Sequence, residues 1–226
     1  MAAKPNVESI ERVLKEYGLA IFFAIVLAML FRFFAIEAYR IPNNTMRPTF
    51  EPGDTVFVTK WDFGYRNPLT GEILIQGRKP ERGELVVYSL PSDLKRDSIK
   101  RVIALPGDQI EINQGRIKLN KKQLTDDSQK NTSCFPELHY RVCSEPPILE
   151  EIPLMTVPEG QVFVLGDLRT LTPEMKRTKN YGLVPMNLIK AKVRWLWLSI
   201  EPTGSSGRSG GWFSRIRFER MFKAVE

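Results

Sequence analysis

The stretch IPNNTMRPTF, residues 41–50, packs two prolines, two asparagines and a Thr-Met pair into ten positions. A strand would not carry both prolines, and a spacer would be blander. The segment reads as a shaped turn that presents the Thr45 hydroxyl, either to cap its own turn or to attack an electrophile. Hydroxyl attack needs a base, and the chain has one histidine, His139, which reads as an exposed loop residue. That leaves no basis for a Ser-His-Asp triad. The other known solution is a neutral lysine, whose pKa must fall from about 10.4 to roughly 7–8 by burial among apolar groups. Lys100, in IKRVIALPGD (99–108), shares a strand face with Val102 and Ala104, whereas Arg101 shares one with Ile99 and Ile103. Alternation therefore leaves an ordinary strand lysine as an open reading. No nucleophile elbow, Walker loop, dinucleotide turn or zinc-ligand cluster is present. No metal, nucleotide or other cofactor is implied.

The elements that must position these groups read as β. DTVFVTKW, GELVVYSL, SIKRVIAL, DQIEINQGRIKLN, GQVFVLGD and AKVRWLWLSI are short, rich in β-branched or aromatic residues and bounded by turn formers. Gln114-Gly115 marks a hairpin. Residues 65–82 and 124–156 have loop composition. TGSSGRSGG, whose residues 203–211 form a flexible linker, leads to a tail over 212–226 in which Trp212, Ile216 and Phe222 alternate with arginines. That tail reads as a basic amphipathic helix on a membrane, with a frayed end as its alternative.

Ahead of the β region, residues 18–36 form an apolar run broken only by Arg32, about the length that spans a bilayer. A cleaved leader and a buried core helix are the alternatives, but RFFAIEAYR offers no small-x-small cleavage site. The reading is a retained anchor behind a short N-terminal segment, 1–17. Lys4, Arg12 and Lys15 put the N-terminus in the cytoplasm and the β-domain, 39–202, on the far side. A net charge of +7 with basic residues scattered among acids suits a lipid surface as well as nucleic acid, and no dense basic run favours the latter. Cys134 and Cys143 are the only cysteines and, in a translocated domain, read as one disulfide. The expected fold class is thus mainly β: one transmembrane helix followed by an extracytoplasmic antiparallel domain.

Four blocks carry a resemblance. YRIPNNTMRPTFEPGD (39–54), RGELVVY (82–88), IKRVIALPGD (99–108) and VFVLGDLR (162–169), followed by YGLVP (181–185), are similar in order and spacing to the type I signal peptidases. The resemblance implies a membrane-anchored endopeptidase with a Ser-Lys dyad on an all-β domain. Its partners would be preprotein signal peptides, cut after small residues at positions −1 and −3, in a bacterial-type plasma membrane or a thylakoid. By position, it places the nucleophile on Thr45, the general base on Lys100, an oxyanion-hole residue on Asn43 and a lysine-orienting hydroxyl on Thr172. Met46 would pack near the substrate groove, and Asp167 and Arg169 would support the site as an ion pair. Two departures stand out. The nucleophile is Thr rather than Ser, and the family's GDNRDNS.DSR becomes GDLRTLTPEMK (166–176). They keep open a second reading, a catalytically impaired relative that serves as a membrane-anchored binding module.

Overall fold

The computed structural model describes residues 17–27, 29, 36–66, 72–113, 116–124, 151–168, 181–202 and 212–225. Cys134, Cys143, Thr172, Arg169 and the 203–211 linker lie outside these residues. The chain divides into two units, 1–37 and 38–226. In the first, residues 17–27 are helical. Among the described residues no helix is long and apolar enough to cross a membrane. Ile36, the expected last residue of the anchor, is already the first residue of a strand.

The second unit is antiparallel β. An eight-stranded sheet takes the order β1-β2-β13-β5-β6-β11-β12, with β14 added beside β13. These strands are β1 (Ile36–Arg40), β2 (Asp54–Thr59), β5 (Leu85–Leu90), β6 (Asp93–Ala104), β11 (Gln161–Leu165), β12 (Tyr181–Pro185), β13 (Ile189–Ser199) and β14 (Lys223–Ala224). A second sheet joins β10 (Ile152–Thr156), β7 (Gln109–Asn113), β8 (Arg116–Leu119) and β9 (Lys122–Gln123) in that order. β7 and β8 pair antiparallel, Ile112 with Ile117 and Asn113 with Arg116, as the expected hairpin requires.

Three expectations change. Residues 65–82 are not only loop, because β3 (Gly64–Arg66) and β4 (Ile73–Gln76) pair into a two-stranded ribbon. The end of 124–156 is strand β10, with Met155 opposite Ile110. The tail is not one amphipathic helix. It makes two 3-10 turns, Trp212–Arg215 and Phe218–Arg220, and then β14, with Leu196 opposite Lys223.

Charge pairing explains the tail's path. Asp54, fully buried, accepts from Ser199 and from the guanidinium groups of Arg217 and Arg220. A buried carboxylate left without those donors would be costly, so the arginines draw the tail onto the domain. The same junction demands a glycine. Gly53 has φ +90, and a Cβ there would sit 1.9 Å from the Ile200 carbonyl oxygen.

The core falls into three clusters. One, built on Ile41, Met46, Phe50, Val56, Leu85 and Val193, lies under the Thr45 turn. A second joins Val86, Tyr88, Val102, Val162, Val164 and Val184. A third fills the second sheet around Ile103, Ile110, Ile117 and Phe163. Strand β6 touches all three, so its residues from Lys100 to Ala104 are buried on both faces.

Candidate active site

The Thr45 turn is held from below and from both ends. Ile41, Met46 and Phe50 enter the core cluster under it. Met46 is 2% exposed and packs within that cluster. Ile41 and Asp54 close the loop through a backbone hydrogen bond of 2.7 Å, and Phe50 N–H donates to the Met46 carbonyl at 2.9 Å. The Arg47–Pro48 peptide bond is cis.

Thr45 itself is buried. Its hydroxyl donates to Asn43 Oδ1 at 2.8 Å, and its backbone N–H approaches the same oxygen at 3.3 Å. Two donors facing one atom make that atom the amide oxygen rather than the nitrogen. In this resting arrangement Asn43 is an acceptor that holds the hydroxyl.

Lys100 lies on β6 opposite Val86 of β5, on the face it shares with Val102 and so with the valine-rich cluster. It is 4% exposed. Burial pushes its ammonium pKa down from 10.5 to about 8, against the opposing pull of Asp167. A lysine in this position carries an unprotonated fraction near neutrality that a surface lysine lacks.

Asp167 is the hub. Its carboxylate receives Arg101 Nε at 2.9 Å and an Arg101 terminal nitrogen at 2.7 Å, and both side chains are essentially unexposed. Thr49, four residues past Thr45, donates its hydroxyl to the same carboxylate. The next residue, Leu168, donates its N–H to the Thr45 carbonyl at 3.1 Å. Arg101 also donates to the Gly83 carbonyl at 2.7 Å. The Thr45 turn and the strand carrying Lys100 are thus tied to one residue. Arg101 is the site residue that sequence reading missed. The expected partner of Asp167, Arg169, lies outside the described residues; among those described, Asp167 pairs with Arg101, the immediate neighbour of Lys100.

The sheet also brings β1 and β6 together. In the sheet order β1 and β6 are four strands apart, about 19 Å in a flat sheet at ~4.8 Å per strand. Yet Tyr39 of β1 donates its hydroxyl to Asp97 of β6 at 3.1 Å. The sheet therefore coils enough to bring Tyr39 of β1 to β6. Strand β11 pairs with β6 only from Arg101 onward. Among the described residues, no strand pairs with residues 93–99 of β6 on that side.

The family model described as "Signal peptidase, peptidase S26" matches residues 14–198, a span that holds both the hydroxyl turn and the buried lysine. The chain belongs to the signal peptidase family. Among relatives, it is 30% identical to "Signal peptidase I" of Rickettsia prowazekii (strain Madrid E), with 97% of each chain covered. It is 28% identical to "Signal peptidase I" of Pseudomonas fluorescens over 84% of this chain and 74% of that one. A solved signal peptidase I from Enterococcus faecalis V583 is 26% identical and covers 51% of this chain and 97% of that chain. Its TM-score of 0.34 is too low to bear on the fold. As a member of this family the chain is a peptidase of signal-peptidase type, and its mainly antiparallel β architecture accords with that membership.

Proposed function

We propose that this protein removes signal peptides from translocated preproteins, with Thr45 as nucleophile and Lys100 as general base. The observation that carries the reading is the buried Lys100, whose pKa of about 8 lets it take a proton near neutral pH. In the proposed sequence neutral Lys100 accepts the Thr45 hydroxyl proton as Oγ1 attacks the scissile carbonyl. The resulting alkylammonium returns a proton to the departing amine, leaving an ester on Thr45. Water then attacks that ester, with Lys100 again the base. The developing oxyanion would take the Thr45 backbone N–H and the Asn43 amide N–H, which requires Asn43 to turn its amide from the resting acceptor pose. Thr172 would orient the lysine. The substrate would enter extended and be bound by strand addition. Residues 18–36 would anchor the protein, with its N-terminus cytoplasmic and the β-domain beyond the membrane.

Cleavage of a preprotein with an Ala-x-Ala site by the detergent-solubilised protein tests the reading. The native protein is expected to cleave and Thr45→Ala to be inert. An inert native protein would instead favour a role in binding. The γ-methyl of Thr45 stiffens χ1 and crowds the attack path, an effect worth about 1–3 kcal/mol. Thr45→Ser is therefore expected to cleave roughly 10- to 100-fold faster; a slower serine variant would show a site reshaped around the methyl. Asn43→Ala is expected to lower kcat by about 100-fold or more through loss of an oxyanion donor, and unchanged cleavage would remove Asn43 from that role. Because only neutral Lys100 is a base, kcat/KM should rise with pH through about 8 and level off above it. A profile already flat between pH 6 and 9 would exclude Lys100 as the titrating base.

A further inference from the structure

We infer that Arg217 and Arg220 of the tail are positioning residues for Thr45. The tail straps residues 49–54, the far part of the loop that carries the nucleophile, and so keeps the Thr45 hydroxyl where catalysis needs it. The inference rests on the signal-peptidase reading and deepens it. Arg217 donates to the Glu51 carboxylate, to the Pro52 carbonyl at 2.9 Å and to one Asp54 oxygen at 3.0 Å. One terminal nitrogen of Arg220 donates to the other Asp54 oxygen at 2.8 Å and to the Thr49 carbonyl at 3.2 Å. That Asp54 oxygen also accepts the Glu51 N–H at 2.8 Å, so the loop and the tail share one buried carboxylate. Val225 packs against the cluster of Ile41, Met46 and Phe50 under the turn.

The strap reaches the nucleophile by two short routes. Thr49 gives its carbonyl to Arg220 and its hydroxyl to Asp167, whose neighbour Leu168 donates its N–H to the Thr45 carbonyl. Glu51 receives Arg217 on one oxygen and faces Arg47, two residues past Thr45, with the other at 3.6 Å. Guanidinium forks that span carboxylates and backbone carbonyls fix geometry that a single ion pair would leave loose. A reacting atom misplaced by about 1 Å can cost roughly 100-fold in rate. Both arginines act through the loop, and the reacting groups remain Thr45 and Lys100.

The test compares the full-length native protein in detergent with Arg220→Met, Arg220→Lys and Arg78→Met. Arg78→Met controls for stability. It takes one of two cationic partners from buried Glu84, as Arg220→Met takes one of two from Asp54. Among the described residues, the Arg78 side chain bonds to Asp62, Lys79, Glu81 and Glu84, none of them in the loop. Amide hydrogen exchange over residues 41–54 reads the order of the loop, and cleavage of an Ala-x-Ala preprotein reads kcat and KM. Arg220→Met is expected to lower kcat by roughly 10- to 100-fold with KM within about 2-fold. It should also speed exchange of the Phe50 and Gly53 amides, both hydrogen-bonded within the loop. Because one nitrogen serves both acceptors, Arg220→Lys can keep the contact and should restore kcat to within ~3-fold of native. Arg78→Met should leave kcat and loop exchange as they are. Unchanged kcat and exchange in Arg220→Met, or losses that Arg78→Met reproduces, would overturn the strap. Should Arg220→Met fail to fold, Arg220→Gln, which keeps an amide donor, carries the same comparison. An inert native protein would refute the catalytic reading, while the exchange comparison would still decide the strap.

Discussion

Lys100→Met is expected to lower preprotein cleavage by at least about a thousandfold and, at the same time, to make the folded protein more stable at neutral pH. The two effects have one cause. Met fills much the same space as the lysine stem but carries no base, so proton abstraction from Thr45 ends. It also removes an ammonium buried among Val86, Tyr88 and Val102. The sign of the stability change follows from the lowered pKa. Below about pH 8, lysine is protonated in folded and unfolded chains alike, and burying the charge is unfavourable in full. Between about 8 and 10.5 the unfolded chain holds a proton that the folded one lacks, so native stability rises with pH. Above that window the penalty is gone. The thermal midpoint of Lys100→Met should exceed that of the native protein at pH 6, and the gap should close by pH 11. A lower midpoint at pH 6 would mean that Lys100 is a favourable structural charge, and loss of cleavage in that variant would then say nothing about a base.

Arg101→Met is the second large effect, and it runs the other way. It strands the fully buried Asp167 carboxylate without its bidentate partner, a loss of about 3–5 kcal/mol. In a domain of this size that corresponds to a fall of roughly 6–20 °C in the thermal midpoint. Cleavage should fall as well, because the Asp167 carboxylate that Arg101 aligns also receives Thr49, and its neighbour Leu168 holds the Thr45 carbonyl. The double variant Arg101→Met/Asp167→Leu removes both charges and should recover a substantial part of the stability, yet not the cleavage rate. Thermal melts and initial rates on the three variants check this. If Arg101→Met melted within ~1 °C of the native protein, the pair would not be the hub described here.

The strands with local signals were legible in the sequence. β2, β5, β7, β8, β11 and β13 are runs of β-branched and aromatic residues between turn formers, and their calm alternation or continuous burial matches that pattern. The elements that escaped lack such signals. Strand β4, ILIQ, is exposed on both faces and shows no alternation. Strand β12 is YGLVP, with a glycine and a proline in five residues. The first half of β6, DLKRD, is charged and exposed, and its strand character comes from pairing with β5 across Ser89 and Asp97.

For the site, the turn itself pointed to Thr45, whereas Asn43, Lys100 and Asp167 could be given roles only through the family resemblance. Spacing alone did not separate Lys100 from Arg101, and the fold shows why. Strand β6 lies between core clusters there, so both residues are buried and a period of two carries no information about which face is inside. The Arg101–Asp167 pair spans 66 positions, a contact that only the folded sheet creates. The tail misled for a similar reason. Its arginines looked like a polar face for lipid headgroups, whereas Arg217 and Arg220 turn inward to Asp54, a partner more than 160 residues away.

The most direct test of the central claim is to catch the acyl group on the enzyme. A preprotein with an Ala-x-Ala site would be mixed with excess enzyme, quenched in acid during the first turnover, digested and mapped by mass spectrometry. The account predicts an ester adduct on the peptide containing Thr45, absent in Thr45→Ala and in Lys100→Met. Product formation with the adduct on a different hydroxyl, or undiminished cleavage by Thr45→Ala, would contradict it.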